Sequence, residues 1–112
     1  MKFDDVCAIA LALPKVEEGT SYGTAALKVK GTLFARLKED GVTLVLRTTP
    51  TNRDLLLRDA PTACFITDHY RDYPWVLVRL GKVRRAFLQE LIVDAWKLAA
   101  PARLVRAWEG AQ

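Results

Sequence analysis

One histidine, one serine and two cysteines leave little catalytic or metal-binding chemistry in these 112 residues. A single imidazole excludes sites that need two histidines, and no Cys, His or carboxylate cluster has ligand spacing. A Ser/His/Asp triad would have to join Ser21, His69 and a distant aspartate. No G-x-S-x-G, G-x-G-x-x-G or phosphate loop surrounds those residues. The expectation is a protein without catalysis, cofactor or metal. Cys7 and Cys64 lie far apart in apolar runs, without C-x-x-C spacing, and read as small hydrophobes rather than a disulfide. No apolar run reaches the roughly 20 residues of a membrane span. Asp4 and Asp5 oppose a signal-peptide start, so the expected location is the cytoplasm.

What is present is ordinary for a folded globule: 51 % hydrophobic and 27 % charged residues. At this length the chain reads as one domain, 1–112, large enough to bury a core without staples. The net charge of +4 permits anionic partners.

Helical spacing of Phe3, Val6, Cys7, Ala10 and Leu13 predicts a helix over 3–13, stopped by Pro14. Lys15 to Gly23 reads as a loop. Strands are predicted at 25–30, 33–38 and 42–48, then a short helix from Asn52 to Asp59 with Thr51 as its cap. A strand over 63–67 and another over 75–80 follow. A long helix over 84–99 carries Phe87, Leu88, Leu91, Ile92, Ala95 and Leu98 on one face, and Pro101 starts a final helical segment. Trp96 and Trp108 read as packing between these last helices. The order α-β-β-β-α-β-β-α suits an α+β fold in two layers, a five-stranded, mainly antiparallel sheet with helices on one side.

Alternation assigns the strand faces. Leu27, Val29, Leu33, Ala35, Leu37, Val42, Leu44, Leu46, Val76, Val78 and Leu80 share the parity of the buried face. The other parity holds Lys28, Lys30, Phe34, Arg36, Lys38, Thr43, Val45, Arg47, Trp75, Leu77 and Arg79, with six bases and no acid. An Asp40-Gly41 turn sets Leu37 opposite Leu44 and Phe34 opposite Arg47. A three-residue Lys30-Gly31-Thr32 loop sets Lys28 opposite Phe34. Phe34 is thereby predicted between two cations on an exposed basic face.

Between the last two strands lies an aromatic and charged loop, Thr67-Asp68-His69-Tyr70-Arg71-Asp72-Tyr73-Pro74-Trp75. Loops favour small polar residues, so this one asks for an explanation. Two readings stand: a recognition element of donors beside aromatic planes, or a plug whose Arg71 pairs with Asp68 or Asp72. The basic face likewise reads either as a phosphate-binding surface or as a solvated sheet face. Arg84-Arg85 at a helix start opposes the helix dipole, which fits a phosphate contact.

Several segments resemble the MmcQ/YjbR-like family of small, mostly bacterial proteins, often called DNA-binding. The Tyr73-Pro74-Trp75-Val76 stretch is the most specific match. Leu13-Pro14-Lys15-Val16-Glu17-Glu18 is similar to the family's L-P-x-V-E-E, and Ser21-Tyr22-Gly23-Thr24 to its S-x-G-T. Val29-Lys30-Gly31-Thr32-Leu33-Phe34-Ala35 is similar to its V-x-G-x-x-F-A hairpin. The chain departs from the pattern at Ala25-Ala26-Leu27, where a proline and an aromatic are common. The resemblance covers nearly the whole chain and implies a double-wing α/β fold with hairpin wings. It brings no catalytic residues.

The leading expectation is a nucleic-acid-binding protein, with DNA as the first candidate. Lys28, Lys30, Arg36, Lys38, Arg47 and Arg79 would meet phosphates, and Phe34, His69, Tyr70, Arg71 and Trp75 would meet bases or sugars. The alternatives are a protein-interaction module docking through the sheet face or edge, and a small-ligand site near His69.

Overall fold

The computed structural model describes residues 1–112. Its elements run α1 (Phe3–Ala10), β1 (Val16–Ser21), β2 (Thr24–Val29), β3 (Thr32–Leu37), β4 (Thr43–Arg47), α2 (Pro50–Asp59), β5 (Cys64–Phe65), β6 (Trp75–Arg79), α3 (Arg85–Ala99) and α4 (Ala102–Gly110). The strands form one sheet in the order β1-β2-β3-β4-β6-β5, every neighbouring pair antiparallel. The class is the expected α+β, with six strands instead of five.

The added strand is β1, in a segment read as loop. Val-Glu-Glu-Gly-Thr-Ser has no apolar alternation because β1 is an edge strand, largely exposed and held by pairing with β2. Ser21 pairs with Thr24 across a two-residue turn in which Tyr22 (φ 53°) and Gly23 (φ 78°) are both left-handed. The next hairpin repeats the device, with Val29 paired to Thr32 across Lys30 (φ 50°) and Gly31 (φ 83°). Two central residues at positive φ mark type I′ turns, whose twist matches that of the strands.

This second turn corrects the predicted three-residue loop and with it the place of Phe34. Lys28 pairs with Leu33, but Leu27 pairs with Ala35, so Phe34 is the extra residue of a β-bulge. A bulge switches the parity of the residues on one side of it. Phe34 turns into the core and is 0 % exposed, while Leu33 faces the other way. The cation–π contacts predicted for Phe34 do not exist. Beyond the bulge the expected register holds, with Leu37 opposite Leu44.

One face of the sheet packs against α1, α3 and α4. Val6, Ile9 and Ala10 of α1 and Leu88, Leu91, Ile92, Ala95 and Trp96 of α3 close over Leu27, Val29, Phe34, Ala35, Leu44, Leu46, Val76 and Val78. Trp96 donates its indole N–H to Pro14 O (3.1 Å) and meets Trp108 of α4 edge-on at 5.3 Å. Val42, expected on this face, is 61 % exposed at the turn before β4. Within α3, Leu98 points outward and Trp96 takes the buried position.

The helix ends follow local chemistry. α1 ends at Ala10, short of Leu13, with Leu11 N–H closing the last turn on Cys7 O (2.9 Å) before the chain reaches Pro14. α2 is capped by Thr49, not Thr51: its hydroxyl accepts from Asn52 N–H (3.1 Å), with Pro50 at the first helical position. Arg85, offered as a phosphate contact, reaches Asp5 of α1 at 3.4 Å. Both cysteines are free, and burial raises both thiols, Cys7 to about 12. No helix is long and apolar enough to cross a membrane.

Candidate functional site

The second face of the sheet is not the flat basic surface expected from alternation. Val45 and Leu77 lie buried beneath Tyr70, with Phe65 and Trp75 packed around them. Tyr70 belongs to a 3-10 turn, Asp68–Tyr70, so the aromatic loop folds back over the strands instead of rimming them. β1 also brings acids to the sheet: Glu17 stands opposite Lys28, which ends the all-basic pattern.

Each arginine of this face is committed to partners within the protein. Arg36 is 6 % exposed; it donates to the Tyr70 hydroxyl (2.8 Å), Thr24 Oγ1 (3.0 Å) and Glu39 Oε1 (3.1 Å). Burial disfavours its charge, but the bonds to Tyr70 and Glu39 outweigh this and raise its pKa. Arg47 lies over the Trp75 ring at 4.7 Å and gives two hydrogen bonds to Leu33 O (2.9 and 2.7 Å). Burial alone lowers its pKa. Arg79 lies over Phe65 at 4.0 Å and donates to Thr62 O (3.1 Å). A guanidinium stacked on a ring and bonded to carbonyls is part of the fold's second layer.

The aromatic loop is held by a residue that no local pattern marks. From α2, Arg53 sends Nη1 to the carbonyls of Tyr70 (3.0 Å), Tyr73 (2.7 Å) and Trp75 (3.2 Å), and Nη2 to that of Arg71 (2.7 Å). Its buried Nε has no partner, which sets a desolvation cost against those charge-assisted bonds. The expected Arg71–Asp68 pair forms at 2.6 Å but is exposed, and such pairs contribute little. Arg53, not Arg71, secures the loop.

What remains open is a cleft of ≈ 490 Å³ lined by Tyr22, Leu33, Arg36, Glu39, Val45, His69, Tyr70, Tyr73 and Trp75. The His69 ring meets Tyr70 edge-on at 4.8 Å and lies 6.4 Å from Tyr73. Tyr22 comes from the β1–β2 turn, is 87 % exposed, and its ring stands 5.4 Å from the Arg36 guanidinium. An aromatic wall with a few convergent polar groups has the size and make-up of a small-molecule or base-binding site. No group of three His, Cys, Asp or Glu side chains comes together to hold a metal.

Of the expected site residues, Arg36, His69, Tyr70 and Trp75 meet in this cleft. Phe34 is in the core, while Arg47 and Arg79 are tied to carbonyls elsewhere. Lys30 is exposed at its turn, Lys28 is half-buried, and Lys38 stands 3.8 Å from the Glu39 carboxylate. Tyr73, named in the sequence only as part of the aromatic loop, joins the cleft with Tyr22 and Glu39, and Arg53 holds it; sequence reasoning gave these last three no role. The Tyr22-Gly23 pair offered a signal, being the same X-Gly turn as Lys30-Gly31. Arg53 offered none, because its partners lie 17–22 residues away.

The YjbR family model matches residues 11–98. Uncharacterized protein Rv2570 of Mycobacterium tuberculosis and Uncharacterized protein Mb2600 of Mycobacterium bovis are each 45 % identical over 53 residues. Those matches cover 47 % of this chain and 41 % of each relative, less than half of the relatives' length. The fold is similar to the crystal structure of Deinococcus radiodurans protein DR2400, which carries the family-model domain DUF419. That likeness has a TM-score of 0.73 and 25 % identity, covering 87 % of this chain and 77 % of the other.

Proposed function

The chain belongs to the YjbR family, and from that membership and the cleft we propose that it binds nucleic acid by taking up an exposed base. The observation that carries this reading is the convergence of Tyr22, His69, Tyr73 and Trp75 around one open cleft. Aromatic faces stack on any base and are worth about 1–3 kcal/mol per base by alanine substitution. The family resemblance points the same way, towards DNA. The role is binding without a chemical step.

This differs from a flat phosphate-binding sheet. With Arg36, Arg47 and Arg79 engaged internally, phosphate contacts fall to Lys28, Lys30, Lys38 and Arg71. Four such contacts on a single strand predict that log K falls with log salt at a slope of roughly −3. Duplexes, whose bases are stacked away, bind more weakly than single strands. Fluorescence anisotropy with single- and double-stranded DNA and RNA across a salt series tests this. Tyr73→Ala should weaken single-strand binding about tenfold or more; salt-independent binding, or a Tyr73→Ala variant that binds like the parent, overturns the reading.

The cleft's volume favours a second reading, a small planar ligand with no strand attached. Mononucleotides that bind as tightly as oligonucleotides would select it.

A further inference from the structure

The polar groups of the cleft are arranged in a way that goes beyond general stacking. One guanidinium, Arg36, holds the Tyr70 hydroxyl at Nη2 (2.8 Å) and the Glu39 carboxylate at Nη1 (3.1 Å). The Tyr70 oxygen accepts that bond, and the hydroxyl's own proton meets no acceptor in the protein. It is therefore a donor, strengthened by the cation bonded to its oxygen. Glu39 keeps acceptor capacity: Oε1 takes one bond from Arg36, and Oε2 has only the Lys38 ammonium at 3.8 Å. Its own backbone N–H, followed by Arg36, holds this carboxyl below the usual range, so it is an acceptor at neutral pH. The cleft thus sets one donor beside one doubly open acceptor.

We propose that this cleft prefers guanine, a conclusion that rests on the nucleic-acid reading above. Guanine's Watson–Crick edge carries a carbonyl oxygen next to a ring N–H and an amino group. The oxygen takes the Tyr70 proton, and the two nitrogens donate to Glu39. Adenine sets a ring lone pair against the carboxylate, and cytosine sets a lone pair and a carbonyl there. Thymine and uracil offer a single N–H between two carbonyls. Turned over to present an amino group or ring N–H beside an acceptor, each of these still gives Glu39 a single donor where guanine gives two, so guanine makes one more charge-assisted bond than any other base.

Tyr22 supplies the stacking plane and gives the proposal a clean control. A bulky aromatic at φ 53° is a conformational outlier, and it sits at an 87 % exposed turn tip. The type I′ turn imposes that φ, as it does at Lys30, and asks nothing of the side chain, so the ring is the part of Tyr22 that the turn does not need. Asparagine suits the first central position of a type I′ turn better than tyrosine. Tyr22→Asn therefore removes the ring while keeping or strengthening the hairpin.

The test is anisotropy with labelled pentamers of cytidines carrying central guanine, adenine, thymine or hypoxanthine. Guanine should bind about tenfold tighter than adenine, with hypoxanthine, which lacks the amino group, close to adenine. Glu39→Gln should reduce the guanine preference to within about threefold. Tyr22→Asn should weaken all four alike, with an unfolding midpoint unchanged or raised. Equal binding of guanine and adenine, or a preference that survives Glu39→Gln, overturns the proposal while leaving nucleic-acid binding in place. If no pentamer binds at all, both readings fall.

Discussion

The two faces of this sheet are closed by different physical means. Towards the helices, apolar area does the work: a continuous cluster runs from Val6 through Phe34 to Trp96, with almost no polar atom inside it. On the other side the apolar cluster is no more than Val45, Tyr70 and Leu77. There the closure depends on directed bonds, with Arg36 on the Tyr70 hydroxyl, Arg47 on Leu33 O and Arg53 on four loop carbonyls. Apolar burial is non-directional and fills space completely. Directed bonds hold groups in place without filling the space between them. The second face can therefore hold an open cleft lined with polar groups.

Substituting one anchor from each face sharpens the contrast. Phe34→Ala should cost about 3–5 kcal/mol, because a fully buried ring leaves a cavity behind. Urea unfolding measures it. A loss well below about 1 kcal/mol would return Phe34 to the outer face that alternation had assigned it. Arg53→Ala should cost less, about 1–3 kcal/mol, since water reaches part of what it frees. Its larger effect is local: amide hydrogen exchange across residues 68–75 should accelerate while the core strands stay protected. Arg53→Lys should restore little, because an ammonium cannot fork across four carbonyls. Unchanged exchange in Arg53→Ala would mean that the loop is held by Tyr70 and Trp75 packing alone.

The smallest effect concerns the β3–β4 turn. The Asp40 carboxylate accepts from the Thr43 hydroxyl (2.7 Å) and from the Val42 and Thr43 N–H groups (both 2.9 Å). The Thr43 hydroxyl bond, then the Val42 N–H, holds its carboxyl below the usual value. A depressed folded-state pKa contributes stability that is fully present above the unfolded aspartate pKa of about 3.9, and is lost as pH falls through the lower folded value. The unfolding midpoint should therefore drop below about pH 4. Asp40→Asn should flatten that limb, and an acid limb of the same depth in this variant would assign it to other carboxylates.

Much of the fold could be read from local pattern. The periodicity of α1 and α3, the register that sets Leu37 opposite Leu44 and the strand predicted over 75–80 are short-range features with short-range causes. By contrast, α1 ends before Pro14 and the β3–β4 loop is longer than Asp40-Gly41, with Gly41 N–H donating to Lys38 O (3.0 Å). The β1 strand escaped because an edge strand needs no apolar alternation. The site was legible only in part. His69, Tyr70 and Trp75 stand out as aromatics in one loop, whereas Tyr22 and Glu39 look like ordinary turn residues until β2 and β3 bring them beside that loop.

By itself the sequence determined the α+β class, most elements and the greater part of the helix-side core. Those properties follow from side-chain period and composition, which act over a few residues at a time. Only the tertiary structure decided which face Phe34 occupies, what the arginines hold, and where a cleft remains. One bulged residue reverses a strand's parity, and one arginine on α2 gathers carbonyls from a loop some twenty positions on. Such pairings depend on distances between segments, and those exist only once the sheet has formed.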